Sequence, residues 1–374
     1  MQDVDLIGVA QTGTGKTLAF ALPIIEKLRE DAGKALILAP TRELALQIEE
    51  SFQRILTKLR PSIRTTTLIG GMSVNNQIQA LRMNPRIIIA TPGRLWDHMQ
   101  QRTIDLSAVN TLVLDEADRM LDMGFLPQIR RIITAIPSAR QTMLFSATMA
   151  PEVVHLASQY MNVPVRIEVA VPGAAPEDIE QQLCYVSSDR KPEILERILR
   201  THEGSILVFS RTKHGAAKLN RRLQIAGHNA TEIHSNKSLS QRRFALDGFK
   251  SGRFRVLIAT DVAARGIDVH DIALVVNYDL PDVAQDYVHR IGRTGRAGKS
   301  GLAISLAEPD QQKDVRAIES LINRELPLSE FSEARRTYAS PITTSGGVTR
   351  SSRNSGRFMG MGTGSRQRRQ SVTR

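Results

Sequence analysis

One cysteine in 374 residues, one tryptophan and an aromatic content of 4% put several classes of protein out of consideration. A single thiol, Cys184, cannot build an intramolecular disulfide framework, and it fits a reducing compartment. It falls in an apolar stretch, Gln182 to Val186, where packing on a strand is its expected role. No apolar run approaches the roughly 20 residues that a membrane-spanning helix needs. The first residues carry Asp3 and Asp5 rather than basic side chains, so no signal peptide is expected. What is present, 41% hydrophobic and 24% charged residues, is expected of a soluble globular chain long enough for two ordinary domains.

Charge is unevenly placed. Of the net +12, residues 335–374 supply nine arginines with no Lys, Asp or Glu, which leaves the rest of the chain at only +3. A nearly neutral body with a basic arm points to a polyanionic partner.

Short β-branched runs alternate with helical patterns from Leu6 to Met161. The runs Ala35–Ala39, Thr65–Ile69, Arg86–Ala90, Thr111–Leu114 and Gln141–Phe145 read as strands. Glu43–Leu59 reads as a helix with Leu44, Ile48, Phe52, Ile55 and Leu59 on one face. Continuous apolar strands separated by helices predict a parallel sheet covered on both faces. A second series follows: Ser205–Phe209, Ala230–His234, Val256–Thr260, Ala273–Asn277 and Gly301–Leu306. The expected division is a first α/β domain over 1–162, a Pro- and Gly-bearing linker over 163–179 and a second α/β domain over 180–328. Hydrophobic periodicity ends after Leu328, so 329–374 forms a basic tail, of which 334–374 reads as disordered.

Ligands of such sheets bind at the carboxyl ends of strands, and the polar motifs fall there. Leu6–Ala10 turns through Gln11, Thr12, Gly13, Thr14 and Gly15 into a helix that begins Lys16-Thr17. That is a phosphate cradle: loop N–H groups point inward and the helix N-terminus adds positive potential. Lys16 would reach the outer phosphates and the Thr17 hydroxyl would sit on Mg²⁺. Asp115-Glu116-Ala117-Asp118 ends another apolar strand. Asp115 suits a second Mg²⁺ anchor, and Glu116 suits orienting or deprotonating a water. Ser146 and Thr148 offer hydroxyls to Asp118. In the second domain, His289-Arg290-Ile291-Gly292-Arg293-Thr294-Gly295-Arg296 sets three arginines and a histidine around two glycines. Arg293 and Arg296 suit a site where negative charge builds on a transferring phosphoryl group. With the cradle on one domain and these arginines on the other, nucleotide would close the hinge.

Taken in order, the motifs make the chain similar to a DEAD-box RNA helicase, most of all to the bacterial RhlE-like subgroup. The resemblance covers roughly residues 5–325. Ala10–Thr17 resembles motif I, Pro40-Thr41-Arg42-Glu43-Leu44-Ala45 motif Ia, Gly70-Gly71 the GG motif and Thr91-Pro92-Gly93-Arg94 motif Ib. Asp115–Asp118 resembles motif II, Ser146–Thr148 motif III, and Leu207–Ser210 motif IV. Ala259-Thr260-Asp261 through Asp268 resembles motif V, and His289–Arg296 motif VI.

The resemblance implies two tandem RecA-like domains, ATP and Mg²⁺ as cofactors, and RNA as partner. It implies that Gln11–Thr17 hold the nucleotide, with Mg²⁺ on Thr17 and Asp115, hydrolytic water on Glu116, fingers at Arg293 and Arg296, and the ribose near Asp268. Asp118, Ser146, Thr148 and His289 would couple nucleotide state to closure. Pro40, Thr41, Arg42, Gly70, Gly71, Thr91, Gly93, Arg94, Arg242 and Thr260 would line a sequence-independent RNA path. A cytoplasmic setting, an auxiliary RNA tether in the basic tail, and ribosome-assembly or RNA-decay factors as partners are further implications.

The chain departs from the family pattern in places. The family's adenine-recognition segment lies well before motif I, and only nine residues precede Ala10. That segment is therefore expected to be missing, with weaker ATP binding and exposed apolar surface on the first domain. Leu239 stands where glutamine is expected, and Ser235 replaces the glycine after His234. Two rivals to a helicase follow: a hydrolysis-deficient ATP/RNA clamp, and a DNA-directed translocase on the same scaffold.

Overall fold

Apolar strand residues alternate between two cores, and this alternation builds both halves of the molecule. In the strand Lys34–Leu38, Leu36 and Leu38 enter one buried cluster while Ala35 and Ile37 enter another on the opposite face. Ser205–Phe209 repeats the pattern, with Leu207 and Phe209 on one side and Ile206 and Val208 on the other. A strand buried on both faces must read as a continuous apolar run. The computed structural model describes residues 4–10, 15–59, 63–168, 179–264, 272–295 and 301–333.

The first lobe runs β1 (Leu6–Val9), α1 (Lys16–Glu30), β2 (Lys34–Leu38), α2 (Arg42–Leu56), β3 (Thr65–Leu68), α3 (Val74–Arg82) and β4 (Ile87–Ala90). It continues α4 (Pro92–Gln100), β5 (Val109–Leu114), α5 (Ala117–Asp122), α6 (Leu126–Ala135), β6 (Gln141–Ser146), α7 (Pro151–Tyr160) and β7 (Val165–Glu168). The second lobe runs β8 (Ile179–Tyr185), α8 (Lys191–Thr201), β9 (Ser205–Phe209), α9 (Lys213–Ile225), β10 (Ala230–Ile233) and α10 (Leu239–Lys250). It ends β11 (Val256–Ala259), α11 (Asp261–Ala264), β12 (Ile272–Asn277), α12 (Ala284–Ile291), β13 (Gly301–Ala307) and α13 (Gln312–Ile322).

Both sheets are wholly parallel, in the orders β3-β4-β2-β5-β6-β1-β7 and β10-β11-β9-β12-β13-β8. Apart from β7, the second order repeats the first strand for strand. Two RecA-like α/β lobes therefore stand in tandem, the architecture expected from the alternating runs.

Three details differ from the sequence reading. Val165–Glu168, inside the expected linker, pairs with β1 as an exposed edge strand, so the first sheet extends past residue 162. Its open exposure explains why no apolar run announced it. At the other end, Leu183 donates to Pro327 O (2.8 Å), Ser329 donates to Leu183 O (2.8 Å) and Glu333 donates to Tyr185 O (3.0 Å). Phe331 is buried, with its ring centroid 6.0 Å from that of His202. Residues 327–333 thus cover the outer edge of β8, past the boundary expected at 328; covered edges resist non-native pairing. On α2, Leu44, Ile48 and Phe52 are buried as expected and Ile55 is partly covered; the helix ends at Leu56, so Leu59, also partly covered, lies beyond it.

Cys184 is fully buried on β8, and burial pushes its thiol up to about 12. It packs in the core of the second lobe, as expected. Exposed apolar side chains are found on both lobes, among them Leu18 and Leu22 of α1, Val165 and Ile167 of β7, and Ile225 and Phe244 of the second lobe. Among the described residues no helix is long and apolar enough to cross a membrane.

Candidate active site

The loop after β1 meets its helix through Gly15, which takes φ +85°, a left-handed conformation that favours glycine. The first turn of α1 carries neither a side-chain cap nor an acidic residue. Its N–H groups are left to an anionic ligand, which the helix dipole favours. Lys16 Nζ donates to Ala10 O (2.9 Å), so the ammonium folds back across the loop. Thr17 is half-buried one residue on. Gln11, Thr12, Gly13 and Thr14, the rest of the expected cradle, lie outside the described residues.

At the end of β5 the chain makes a tight turn into α5. Glu116 takes φ +51°, ψ +53°, and its N–H donates to Asp115 Oδ1 (3.0 Å). A non-glycine residue there is strained and persists because its surroundings over-determine it. Asp115, Glu116 and Asp118 are all buried. Burial raises the Asp115 carboxyl to about 6, with the Lys16 ammonium pulling the other way. Glu116 Oε2 accepts from the buried guanidinium of Arg119. Asp118 Oδ2 accepts from Ala147 N (3.1 Å), Thr148 N (2.9 Å) and Thr148 Oγ1 (3.1 Å), and Ser146 Oγ donates to Thr148 O (2.7 Å). The hydroxyl-bearing turn after β6 is therefore tied to the acidic turn after β5; the Thr148 hydroxyl donates to Asp118 as expected, whereas that of Ser146 donates to Thr148 O and accepts from Asp118 N (3.4 Å).

The lobes meet over these turns. One cavity is lined by Lys16, Glu116, Asp118, Arg119, Ala147 and Thr148 from the first lobe and by Gln285, Val288, His289, Gly292 and Leu321 from the second. Lys16, Glu116, Asp118, Thr148 and His289, five of the expected site residues, are thus brought together. Arg293 is buried beside it and lines a smaller cavity that shares His289. Asp268 and Arg296 lie outside the described residues.

Arg290, from the same octapeptide, does something else. It is 2% exposed, and its Nε and Nη2 donate to the two carboxylate oxygens of Asp261 (2.6 and 2.7 Å). Nη1 donates to Asp279 O (2.6 Å) and Asn277 Oδ1 (3.3 Å), and the guanidinium lies 5.0 Å from the Phe209 ring centroid. It anchors α12 to the ends of β9, β11 and β12 and so sets the stance of His289 and Arg293.

Most of the residues expected to line an RNA path lie after the strands of the first sheet. Thr41 caps α2 by accepting from Leu44 N (3.2 Å). Arg42 lies over Gly70 and Gly71 so closely that a Cβ at Gly71 would meet Nη1 at 2.5 Å. Thr91 and Gly93 open α4, nothing stands within 4 Å of a Cβ at Gly93, and Arg94 Nη1 is buried with no hydrogen-bond partner. Pro40 is buried beside Thr41, and Thr260 follows β11 with its carbonyl accepting from Ala263 N (2.9 Å) and Ala264 N (2.8 Å).

Arg242 joins this set differently. It reaches across the lobes to Glu43 Oε2 (2.8 Å), and both side chains are buried. Leu239, which replaces the expected glutamine, packs against the first-lobe core and lies 3.7 Å from a Cβ at Gly71. Removing one partner of a buried ion pair costs about 3–5 kcal/mol. Glu43→Gln and Arg242→Met are each expected to shift the lobes toward separation, read by fluorescence energy transfer between dyes on the two lobes. The exchange Glu43→Arg with Arg242→Glu should recover part of the closure; equal separation in all variants would remove the pair from the closing contacts.

Four residues escaped the sequence reading: Glu43, Arg119, Asp261 and Arg290 as a buried anchor. Arg119 carried one legible signal, a charge of opposite sign three residues after Glu116 on a helix. The other contacts span the tertiary fold and left none.

The repeated sheet order also explains why one lobe carries the cradle. Lys191 opens α8 after β8 as Lys16 opens α1 after β1, and Asp279 follows β12 as Asp115 follows β5. Lys191 is 2% exposed, with Nζ 2.9 Å from Glu308 and 3.6 Å from Asp279. Its charge is neutralised internally, and the second lobe presents no phosphate site at that position.

The donor set fits a magnesium nucleotide. Among the described residues no three His, Cys, Asp or Glu side chains cluster to hold a metal. Thr17 and the buried Asp115, whose ionised form a cation would stabilise, suit Mg²⁺, which is held by one or two protein oxygens with phosphates and waters.

Both halves of the chain are similar to known proteins. A DEAD/DEAH box helicase model matches residues 1–156, and a helicase conserved C-terminal domain model matches residues 190–298. The DEAD-box ATP-dependent RNA helicase CshA of Bacillus subtilis is 42% identical over 329 residues, 87% of this chain and 66% of that protein. CshA of Geobacillus kaustophilus is 42% identical over 87% of this chain and 70% of its own length. The chain spans about two thirds of the length of these curated relatives. Among solved structures, Saccharomyces cerevisiae Dbp5 bound to RNA and ADP BeF3 matches with TM-score 0.77 and 32% identity, over 87% of this chain and 85% of that one. Mss116p bound to ssRNA and AMP-PNP matches with TM-score 0.79 and 30% identity, over 87% of this chain and 70% of that one. With both halves matched in order and relatives 42% identical over 87% of its length, the chain belongs to the DEAD-box ATP-dependent RNA helicase family.

Proposed function

We propose that this protein is an RNA-stimulated ATPase that separates short RNA duplexes locally and remodels RNA or RNA–protein complexes. The observation that carries the reading is the interlobe cavity, where Lys16, Glu116, Asp118 and Thr148 of one lobe face His289 of the other. In this reading Lys16 and the N–H groups that open α1, with Gln11–Gly15, bind the phosphates of ATP. Thr17 and Asp115 hold Mg²⁺, which neutralises charge on the phosphates when bound. Glu116, oriented by Arg119, orients the attacking water and takes its proton. Arg293 and Arg296 meet the charge that builds on the transferring phosphoryl group, and Asp268 contacts the ribose. Asp118, Ser146 and Thr148 form one hydrogen-bonded unit, so a shift at the acidic turn moves the hydroxyl turn that faces His289.

Arg42, Gly70, Gly71, Thr91, Gly93 and Arg94, with Pro40, Thr41, Thr260 and Arg242 beside them, take the sugar–phosphate backbone of RNA. Backbone contacts of this kind carry no base information. The relatives CshA and Dbp5 support RNA as the polynucleotide. Within the family we place the chain with the RhlE-like subgroup, on its arginine-rich tail. That tail tethers RNA, ribosome-assembly or RNA-decay factors are partners, and the cytoplasm is the setting.

The test is phosphate release with and without single-stranded RNA, together with strand separation of a short duplex. RNA is expected to raise turnover severalfold. Binding of ATP and RNA without stimulated turnover would instead indicate a clamp. Deleting 335–374 should flatten the salt dependence of RNA affinity by about 0.7 in log–log slope for each phosphate that the tail neutralises.

A further inference from the structure

Behind the Gly70–Gly71 turn lies a buried polar chain that none of the family motifs contains. Gln77 on α3 is 2% exposed, and its amide nitrogen faces three backbone carbonyls of the turn: Ile69 O (3.1 Å), Met72 O (3.3 Å) and Ser73 O (3.4 Å). Its Oε1 faces His98 Nε2 (3.3 Å), and His98, 1% exposed on α4, meets Thr103 Oγ1 through Nδ1 (2.8 Å).

The chemistry assigns the protons. Three carbonyls can only accept, so the Gln77 NH₂ must point at them and Oε1 at the histidine. His98 therefore carries a proton on Nε2 and donates it to Gln77 Oε1, while the Thr103 hydroxyl stands between His98 Nδ1 and His98 O (3.1 Å). The Gln77 amide is thereby fixed in one orientation, with its nitrogen to the turn and its oxygen to the histidine.

We propose that Gln77, held by His98, is a positioning residue for RNA binding. It fixes the Ile69–Ser73 turn under the Arg42 guanidinium and locks that turn to α4. The inference rests on the reading that Arg42, the two glycines and the Thr91–Arg94 end of α4 take the RNA backbone. Gly71 stands at φ +82° with Arg42 packed over it. Of the converging carbonyls, Ser73 O also accepts from Gln77 N (3.3 Å) at the start of α3, whereas Ile69 O and Met72 O lie outside any helix or strand. Gln77 supplies donors from behind, while Gly71, Met72 and Ser73 stay exposed in front. His98 lies one helical turn after Arg94 on α4, so the same side chain that orients Gln77 is built on the helix whose first residues belong to the RNA path. The two halves of the first-lobe RNA face are thereby set at one spacing before any strand arrives, and preorganisation of this kind raises affinity by reducing the ordering needed on binding.

The test measures RNA-stimulated ATPase across RNA concentrations for four variants. Gln77→Glu keeps the size and the acceptor toward His98 but turns an oxygen at the three carbonyls. It is expected to raise the KM for RNA about tenfold or more, a factor of ten being 1.4 kcal/mol, with kcat at saturating RNA and RNA-free nucleotide affinity unchanged. His98→Leu, which leaves Oε1 without a donor, should raise the same KM by less. His98→Gln, which can still donate to Oε1, should restore it. Gln77→Glu combined with Arg42→Ala should be no worse than the more impaired single variant, because both act on one contact. A purely structural role would lower thermal stability and kcat together, would not be rescued by His98→Gln, and would multiply with Arg42→Ala. Those results, or an unchanged KM in Gln77→Glu, would overturn the proposal. Failure of the parent reading would show separately, as absence of RNA stimulation in the unaltered protein.

Discussion

Glu116→Gln is expected to lower kcat for ATP hydrolysis by ~10²- to 10⁴-fold, the contribution of a positioned general base, while nucleotide affinity stays near that of the unaltered chain. The glutamate is buried, its backbone is held in the left-handed region, and one carboxylate oxygen is engaged by Arg119. Such a side chain has one stance, and it lines the interlobe cavity together with Lys16 and His289. Glutamine keeps the shape and an oxygen for Arg119 but cannot accept the proton of an attacking water. It also leaves the buried Arg119 without its counter-charge, so thermal unfolding belongs beside the kinetics. Binding of a fluorescent nucleotide at unaltered affinity separates lost chemistry from lost structure. A variant that hydrolyses ATP at the normal rate would remove Glu116 from the role of base.

Arg290→Met is expected to have the largest effect on stability, about 3 kcal/mol of the second lobe's folding free energy. That is the lower end of the range for breaking a buried pair, because Asp261 keeps 24% of its side chain exposed and solvent screens it. Three acceptors lose their donor at once: Asp261, Asp279 O and Asn277 Oδ1. Arg290→Lys should recover little, since a single ammonium cannot reproduce a fork that bonds both oxygens of Asp261 and two further acceptors. Hydrogen exchange resolved to β9, β11 and β12 is the suitable measurement, because a chain with two lobes need not unfold in one step. Protection in those strands unchanged by Arg290→Lys would mean that the guanidinium geometry is not what anchors α12. The same variant should also depress turnover, through the displaced stance of His289 and Arg293, although Arg290 does not line the Lys16 cavity.

These two residues illustrate what a sequence can and cannot disclose. Glu116 was legible because its chemistry is local: an acidic turn ends an apolar strand downstream of a Gly-Lys-Thr turn, and parallel sheets put such ends at the ligand edge. Arg290 and Arg293 stand three residues apart in one basic octapeptide, with nothing in composition to distinguish them. The fold separates them, because Arg290 falls on the face of α12 that meets the sheet and Arg293 falls in the turn beyond it. Lys16 and Lys191 make the same point. Each opens the first helix of its lobe, yet Glu308, delivered by β13, neutralises only the second.

By itself the sequence determined the two parallel α/β lobes, the order of the motifs and the identity of the acidic, lysine and arginine turns. Those features depend on period-two and period-3.6 patterns and on residues adjacent in the chain. Tertiary structure alone decided the Glu43–Arg242 contact between residues 199 apart, the Gln77–His98 support behind the glycine turn, and the division of arginines between anchor and site. It also decided the edge strand β7 and the cover over β8. Hydrogen bonds and ion pairs of this sort form between elements that sheet order, not chain order, makes neighbours, and a buried polar group takes whatever partner that order brings within reach.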